Sequence, residues 1–220
     1  MSDPIGLLGG TFDPVHFGHL RLAEEAYEAL DLRQVLWIPA GVPPHRHVPR
    51  ASAAQRLQMV KLAIAGNARF ELDASEVAAV EPSYTVHSLA RLRQTLGATT
   101  PLLLIMGSDA FLGLTTWHRW QELFDYAHIA VATRPGYELA AADMPTPLAS
   151  EFTQRMASTP EHWSNAAAGR VVPFDMTPLA ISASLIRARL AAGLSARYLI
   201  PDPVREYIDR EHFYQAPDGR

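Results

Sequence analysis

Short apolar runs recur along the chain, and stretches with helical periodicity lie between them. Residues 5–8, 35–38, 102–106, 129–132 and 171–174 hold only apolar residues and glycine or proline. A run without polar alternation reads as a strand buried on both faces. After the first run, Leu20, Leu22, Ala23, Ala26 and Leu30 mark one face of a helix. Ser52 and Gln55 form a capping-box pattern ahead of a helix with Leu57, Val60 and Ile64 on its face, and Gly66 ends it. Thr85 can cap the next helix, whose face is Val86, Leu89, Leu92 and Leu96, with Gly97 past its end. Ser182 or Ser184 caps another that ends near Gly193, and Asp202 with Pro203 opens the last. Residues 70–72 read as a short strand and 76–80 as an extended piece. The Ala-, Pro- and Thr-rich stretch 139–169 reads as a short helix with loops. Strands alternating with helices predict βαβ units with right-handed connections. Ligands in such sheets bind outside the strands' carboxyl ends, near the point where strand order reverses.

The expected class is therefore α/β, a Rossmann-like, doubly wound, mainly parallel sheet with helices on both faces. A length of 220 residues suits one domain, 1–220, with a core large enough to need no staple. Hydrophobic content of 48% and charged content of 19% are those of a globular protein. The chain has no cysteine, so it has no disulfide framework and no thiol chemistry, which fits a reducing cytoplasm. The aliphatic run 102–106 is far too short to span a bilayer. No basic segment followed by an apolar one opens the chain, so no signal peptide is expected. Net charge is −4 and no basic stripe stands out, so neither nucleic acid nor membrane is expected as a partner. A phosphate-rich small molecule is compatible, since a few local Arg and His suffice to make a positive pocket.

Residues 8–19, Leu-Gly-Gly-Thr-Phe-Asp-Pro-Val-His-Phe-Gly-His, combine three devices for holding phosphate. Gly9 and Gly10 stand where a chain leaving a sheet is expected to turn and let a ligand approach its backbone. His16 and His19 follow, three positions apart around Gly18, and then the helix begins. Its amino end offers free N–H groups and about half a positive charge. Taken singly, Gly-Gly is an ordinary turn and each histidine an ordinary solvated side chain. His-x-x-His is also half of a zinc site. No cysteine, third histidine or carboxylate at helical spacing completes that set, and Asp13 is fixed in the turn by Pro14.

Residues 181–187, Ile-Ser-Ala-Ser-Leu-Ile-Arg, form a second candidate anion site: capping hydroxyls, free N–H groups, then Arg187 about one turn on. A plain N-cap with a surface arginine has the same spelling. Gly107-Ser108-Asp109 follows the run 102–106 directly, and a small residue with a carboxylate at a strand end suits ribose hydroxyls. A turn whose aspartate caps a helix is the other reading. In Thr116-Trp117-His118-Arg119-Trp120, which is rich in aromatics, Trp120 reads as core. Arg134 reads as an anion contact or as a loop-capping arginine.

At residues 8–19 the chain resembles the nucleotidyltransferases with a His-x-x-His or His-x-Gly-His signature. The variant with Thr-Phe-Asp-Pro-Val-His before Gly-His resembles the bacterial nicotinate-mononucleotide adenylyltransferases. The resemblance continues in order over nearly the whole chain, through Pro43-Pro44-His45-Arg46, Pro82-Ser83-Tyr84-Thr85, Thr116-Trp117, Arg134-Pro135-Gly136 and Ile181-Ser182. It implies that Gly9, Gly10, Thr11, Phe12, His16 and His19 bind ATP together with Gly107, Asp109, Ile181, Ser182, Ser184 and Arg187. In the family, Ile-Ser-x-Thr-x-x-Arg grips the ATP phosphates; here Ser184 replaces Thr and keeps the hydroxyl. It implies further that Thr11, His45, Arg46, Tyr84, Thr85, Trp117 and Arg134 bind the pyridine mononucleotide. Trp117 then stacks on the pyridine, and the helix start at Thr85 takes the nicotinate carboxylate.

The reaction implied is transfer of AMP from ATP to nicotinate mononucleotide in NAD biosynthesis, giving nicotinate adenine dinucleotide and pyrophosphate. His16, His19 and Arg187 are the implied catalytic residues. No serine is paired with a base as a covalent nucleophile, so attack is expected to be direct. Mg²⁺ is expected with ATP, with no metal cage in the protein. Other classes open at this point are a sibling transferase acting on phosphopantetheine, a nucleotide sensor without turnover, and a zinc hydrolase.

Overall fold

Strands whose residues are all apolar have no face for water, and they occupy the middle of a sheet. The computed structural model describes residues 3–44, 48–157, 159 and 161–215. Its strands are β1 (Ile5–Gly10), β2 (Gln34–Pro39), β3 (Phe70–Leu72), β4 (Leu102–Gly107), β5 (His128–Thr133) and β6 (Val171–Asp175). They form one parallel sheet in the order β3-β2-β1-β4-β5-β6. The strand order reverses between β1 and β4, which is the doubly wound pattern expected from the alternation of runs. Registers are continuous: Leu7 faces Leu104, Leu104 faces Ile129, and Ile129 faces Val171. Every residue of β5 is buried, as are the first five of β4. The helices are α1 (Phe17–Ala29), α2 (Ala53–Ile64), α3 (Ser75–Ala78), α4 (Thr85–Leu96), α5 (Ser108–Leu112), α6 (Leu123–Tyr126), α7 (Thr146–Arg155), α8 (Glu161–Ser164), α9 (Ala183–Ala191) and α10 (Asp202–Arg210). Among the described residues no helix is long and apolar enough to cross a membrane.

Local chemistry explains where the structure departs from the sequence reading. Gly9 and Gly10 do not turn; they end β1, and Ala40 N–H donates to the Gly10 carbonyl at 2.9 Å. The turn starts at Thr11. Residues 76–78 are helical rather than extended, and extended backbone resumes at Ala79. Asp73 accepts the Ser75 N–H at 2.8 Å, which starts the single turn α3. Tyr84, not Thr85, stands at the N-cap of α4, and Pro201, not Asp202, at that of α10. Trp120 is half-buried in a short 3₁₀ turn and is not a core residue. The stretch 139–169 holds α7, ten residues long, and α8. The capping box of α2 is present: Gln55 N–H donates to Ser52 Oγ at 3.3 Å, and Ser52 N–H donates to Gln55 Oε1 at 2.8 Å.

Contacts group the chain into two compact units. The first takes residues up to Gly9, Leu22–Leu36 and Tyr84–Thr177. It contains β4, β5, β6 and most of β1. The second takes Gly10–Arg21, Trp37–Ser83 and Pro178 onward, and contains the β1–α1 turn, α2, α9 and α10.

Candidate active site

In the second unit the β1–α1 turn is wired from several sides. Phe12 adopts a left-handed backbone, φ 51°, and the Asp13–Pro14 bond is cis. The Phe12 ring packs 5.4 Å from Trp37 and presents an edge contact to His19 at 5.0 Å. Two glycines are required by close approach. A Cβ on Gly10 would stand 2.9 Å from the Phe12 ring, and one on Gly18 would stand 3.0 Å from the His16 ring. Arg56 of α2 is 1% exposed. Its guanidinium donates to the carbonyls of Thr11 (2.7 Å), Ala40 (2.6 Å), Gly41 (2.9 Å) and Ala51 (3.3 Å). Asp13, 6% exposed, accepts the backbone N–H groups of Arg50 at 2.9 Å and Ala51 at 3.1 Å, and the Tyr214 hydroxyl at 2.6 Å.

The two histidines stand at the entry to α1, as the sequence spacing predicts. Their rings stack at 3.7 Å with planes 23° apart. The His16 N–H donates to Nδ1 of His19 at 3.2 Å. Because that nitrogen accepts, a neutral His19 ring carries its proton on Nε2. His16 is buried, and burial lowers its pKa to about 4, so its imidazole is neutral at neutral pH. Its Nδ1 is buried with no hydrogen-bond partner among the described residues. A buried polar atom left unpaired costs about 1–3 kcal/mol.

In residues 181–187 the expected N-cap is present. Ser182 is the N-cap of α9, and its Oγ accepts the Leu185 N–H at 3.2 Å. Ser184 Oγ lies 3.0 Å from Ser182 Oγ. Ile181 precedes the cap, its own N–H bonded to the Leu179 carbonyl at 2.8 Å. Arg187 reaches the β1–α1 turn, where Nη1 donates to the Asp13 carbonyl at 2.7 Å. The structure therefore brings Thr11, Phe12, His16, His19 and Arg187 to one turn. In the same unit Ser83 laces two loops: its Oγ accepts the N–H groups of Gly41 at 2.9 Å and Val42 at 3.2 Å.

Gly9, Gly107, Asp109, Tyr84, Thr85, Trp117 and Arg134 lie in the first unit. Gly9, Gly107 and Thr133 end or nearly end β1, β4 and β5, so they stand at the carboxyl edge of parallel strands. Gly107 is the N-cap of α5, and exposed Asp109 sits in that helix's first turn. Tyr84 and Thr85 open α4. Tyr84 contacts the His118 ring at 4.3 Å and the His87 ring at 5.7 Å. Trp117 is half-buried and follows the 3₁₀ turn Leu114–Thr116. Arg134 is exposed just past β5. His45 and Arg46 lie outside the described residues. Among the described residues no three His, Asp or Glu side chains converge where they could hold a metal ion.

Arg56 and Tyr214 were not singled out from the sequence. Arg56 had a signal, since it falls on the same helical stripe as Val60 and Ile64, where a charged residue must find buried partners. Tyr214 had none.

The cytidylyltransferase-like family matches residues 7–189. A protein of Dechloromonas aromatica that carries the name probable nicotinate-nucleotide adenylyltransferase is 57% identical over 98% of this chain and 99% of its own. One of the same name from Aeromonas salmonicida is 45% identical, again over 98% of this chain and 99% of its own. The chain belongs to the nicotinate-nucleotide adenylyltransferase family. The chain also shares its fold with a solved Plasmodium falciparum nicotinic acid mononucleotide adenylyltransferase complexed with NaAD. The TM-score is 0.71 at 13% identity, covering 97% of this chain and 98% of that one. The Plasmodium enzyme complexed with APC gives a TM-score of 0.69 at 14% identity, with the same coverage.

Proposed function

We propose that the chain transfers AMP from ATP to nicotinate mononucleotide, giving nicotinate adenine dinucleotide and pyrophosphate in NAD biosynthesis, and that residues 1–220 act as one nucleotidyltransferase domain in the cytoplasm. The observation that carries this reading is the convergence of stacked His16 and His19 with Arg187 on the β1–α1 turn, at the amino end of a 13-residue helix. Family membership supports the pair of substrates.

The mononucleotide phosphate is already an anionic nucleophile. Its oxygen forms a bond to the α-phosphorus of ATP as the bond to the β-phosphate oxygen breaks, and no general base or covalent intermediate is needed. The protein's task is positioning and charge stabilisation. His19 donates from Nε2, neutral His16 stacks against that ring and fixes it toward the nucleotide, and Arg187 supplies a fixed positive charge. Gly9, Gly10, Thr11 and Phe12 lend the turn's backbone, and Ile181, Ser182 and Ser184 lend the amino end of α9. Gly107 and Asp109 take the ribose side. Tyr84, Thr85, Trp117 and Arg134, with His45 and Arg46, take the pyridine mononucleotide. Mg²⁺ would come with ATP and would neutralise phosphate charge there.

The test is pyrophosphate release with ATP and Mg²⁺, run with nicotinate mononucleotide, nicotinamide mononucleotide and phosphopantetheine. We expect kcat/KM for the acid to exceed that for the amide by at least ~10²-fold, because buried donors matched to a carboxylate are left unpaired by an amide. Comparable values refute the carboxylate pocket. Release with phosphopantetheine alone overturns the pyridine assignment. ATP binding without release identifies a sensor, and stoichiometric bound zinc with chelator-sensitive activity identifies a hydrolase.

A further inference from the structure

Tyr214 closes the β1–α1 turn from the far end of the chain. Its hydroxyl donates to Asp13 Oδ1 at 2.6 Å across 201 residues of sequence. Oδ1 also accepts the Ala51 N–H at 3.1 Å, and Oδ2 accepts the Arg50 N–H at 2.9 Å. Each carboxylate oxygen thus accepts at least one donor, and the phenol is the side-chain donor on Oδ1. Arg187 meets the same residue: Nη1 donates to the Asp13 carbonyl at 2.7 Å and stands 4.0 Å from Oδ2. One buried residue thus ties the approach to α2, the body of α9 and the segment after α10 to the turn that carries His16.

Tyr214 is 6% exposed, and its backbone is left-handed, φ 62°. That conformation is unfavourable for a residue with a Cβ and persists only when surrounding contacts hold it. The Phe213 ring supports it, 6.1 Å from Tyr214 and 5.4 Å from Tyr207 of α10. Burial and the Asp13 carboxylate both push the phenol pKa up, so Tyr214 remains a proton donor through the working range.

We infer that Tyr214 is a positioning residue: by holding the Asp13 carboxylate away from Arg187, it keeps that guanidinium available to a nucleotide phosphate. Without the phenol, Oδ1 keeps only the Ala51 N–H, and Arg187 Nη1 already stands 4.0 Å from the neighbouring Oδ2. The guanidinium has five N–H donors and only one is used on the Asp13 carbonyl. It would close on the carboxylate and withdraw from the phosphates. The inference rests on the adenylyl-transfer reading above.

Tyr214→Phe tests it in the full-length protein, with two readouts below the melting temperature of both forms. One is steady-state turnover, and the other is the Kd for ATP with Mg²⁺ and no acceptor. We expect kcat to fall by at least ~10-fold and the ATP Kd to rise at least ~5-fold, with KM for nicotinate mononucleotide within about twofold. In an Arg187→Ala background the same change should alter kcat by less than about twofold, since its route is already cut. A lower Tm with unchanged kcat and Kd would make the phenol a structural contact only and overturn the inference. Equal losses in both backgrounds would overturn the route through Arg187. If the wild type binds ATP but releases no pyrophosphate, the adenylyl-transfer reading fails, and the paired ATP Kd values still decide the role of Tyr214.

Discussion

His16 and His19 share a stacked pair yet face different surroundings. His16 is buried, which lowers its pKa to about 4, so it holds no charge near neutral pH. Its contribution to phosphate binding is then that of a neutral donor or acceptor, and the positive charge falls to Arg187 and the helix end. The shape of the kcat profile between about pH 5.5 and 8 should therefore be the same in wild type and His16→Gln, although the absolute rate falls. A wild-type inflection near pH 6.5 that disappears in the variant would mean that His16 titrates there. His19→Ala should lower kcat by at least ~10²-fold with a normal Tm, the loss of one preorganised donor. Activity within threefold of wild type would remove His19 from the chemistry. These side chains were legible because they are neighbours in sequence: three residues of spacing at a helix start fix two rings on one side. Tyr214 on Asp13 was not legible, because 201 residues separate the partners and neither carries a local pattern.

At the scale of elements, α2 does more than cover the sheet. Of the face the periodicity predicts, Val60 and Ile64 are buried and Leu57 is half-buried, while Met59 and Arg56 are buried beside them. Desolvation pulls the Arg56 pKa down and the nearby Asp13 and Tyr214 pull it back up. The fork satisfies four carbonyls from the turns that follow β1 and β2 and from the approach to α2. Arg56→Leu leaves them without donors in a dry site. Each such group costs about 1–3 kcal/mol, so the variant should lose at least about 3 kcal/mol of unfolding free energy in urea. Arg56→Lys should recover only part, since a point ammonium cannot span the same set. A loss below about 1 kcal/mol for Arg56→Leu would show that water replaces the guanidinium. The elements themselves were largely legible, strands above all, because a buried parallel strand has a composition no surface segment shares. What misled was local competition. Gly10 stays in β1 with its carbonyl bonded to the N–H of Ala40 just past β2, and residues 75–78 coil because Asp73 captures a backbone N–H.

The whole molecule carries its acid sensitivity in buried imidazoles, one in each unit. His128 in β5 is 0% exposed, and its Nδ1 accepts the Arg170 N–H at 3.1 Å while Nε2 donates to the Ala166 carbonyl at 2.9 Å. Both ring nitrogens are thus committed to a neutral tautomer. Burial lowers its pKa to about 4, the Ala166 bond opposes that shift, and the charges of Arg93 and Arg170 add to it. His16 is lowered to about 4 as well. Above the ordinary histidine pKa, folded and unfolded chains both hold these rings neutral. As pH falls from about 6.5 toward 4, the unfolded chain takes up protons that the folded chain refuses, so stability is lost on acidification. Between about pH 6.5 and 5 the loss is about 2 kcal/mol for each ring. Urea unfolding should therefore give a free energy several kcal/mol lower at pH 5 than at pH 7. In His128→Gln, which keeps a donor and an acceptor but does not titrate, the difference between the two pH values should shrink by about half. The absolute stability of that variant is not what decides; the slope is. A slope identical to wild type would place the proton uptake on other groups and remove neutral His128 as its source.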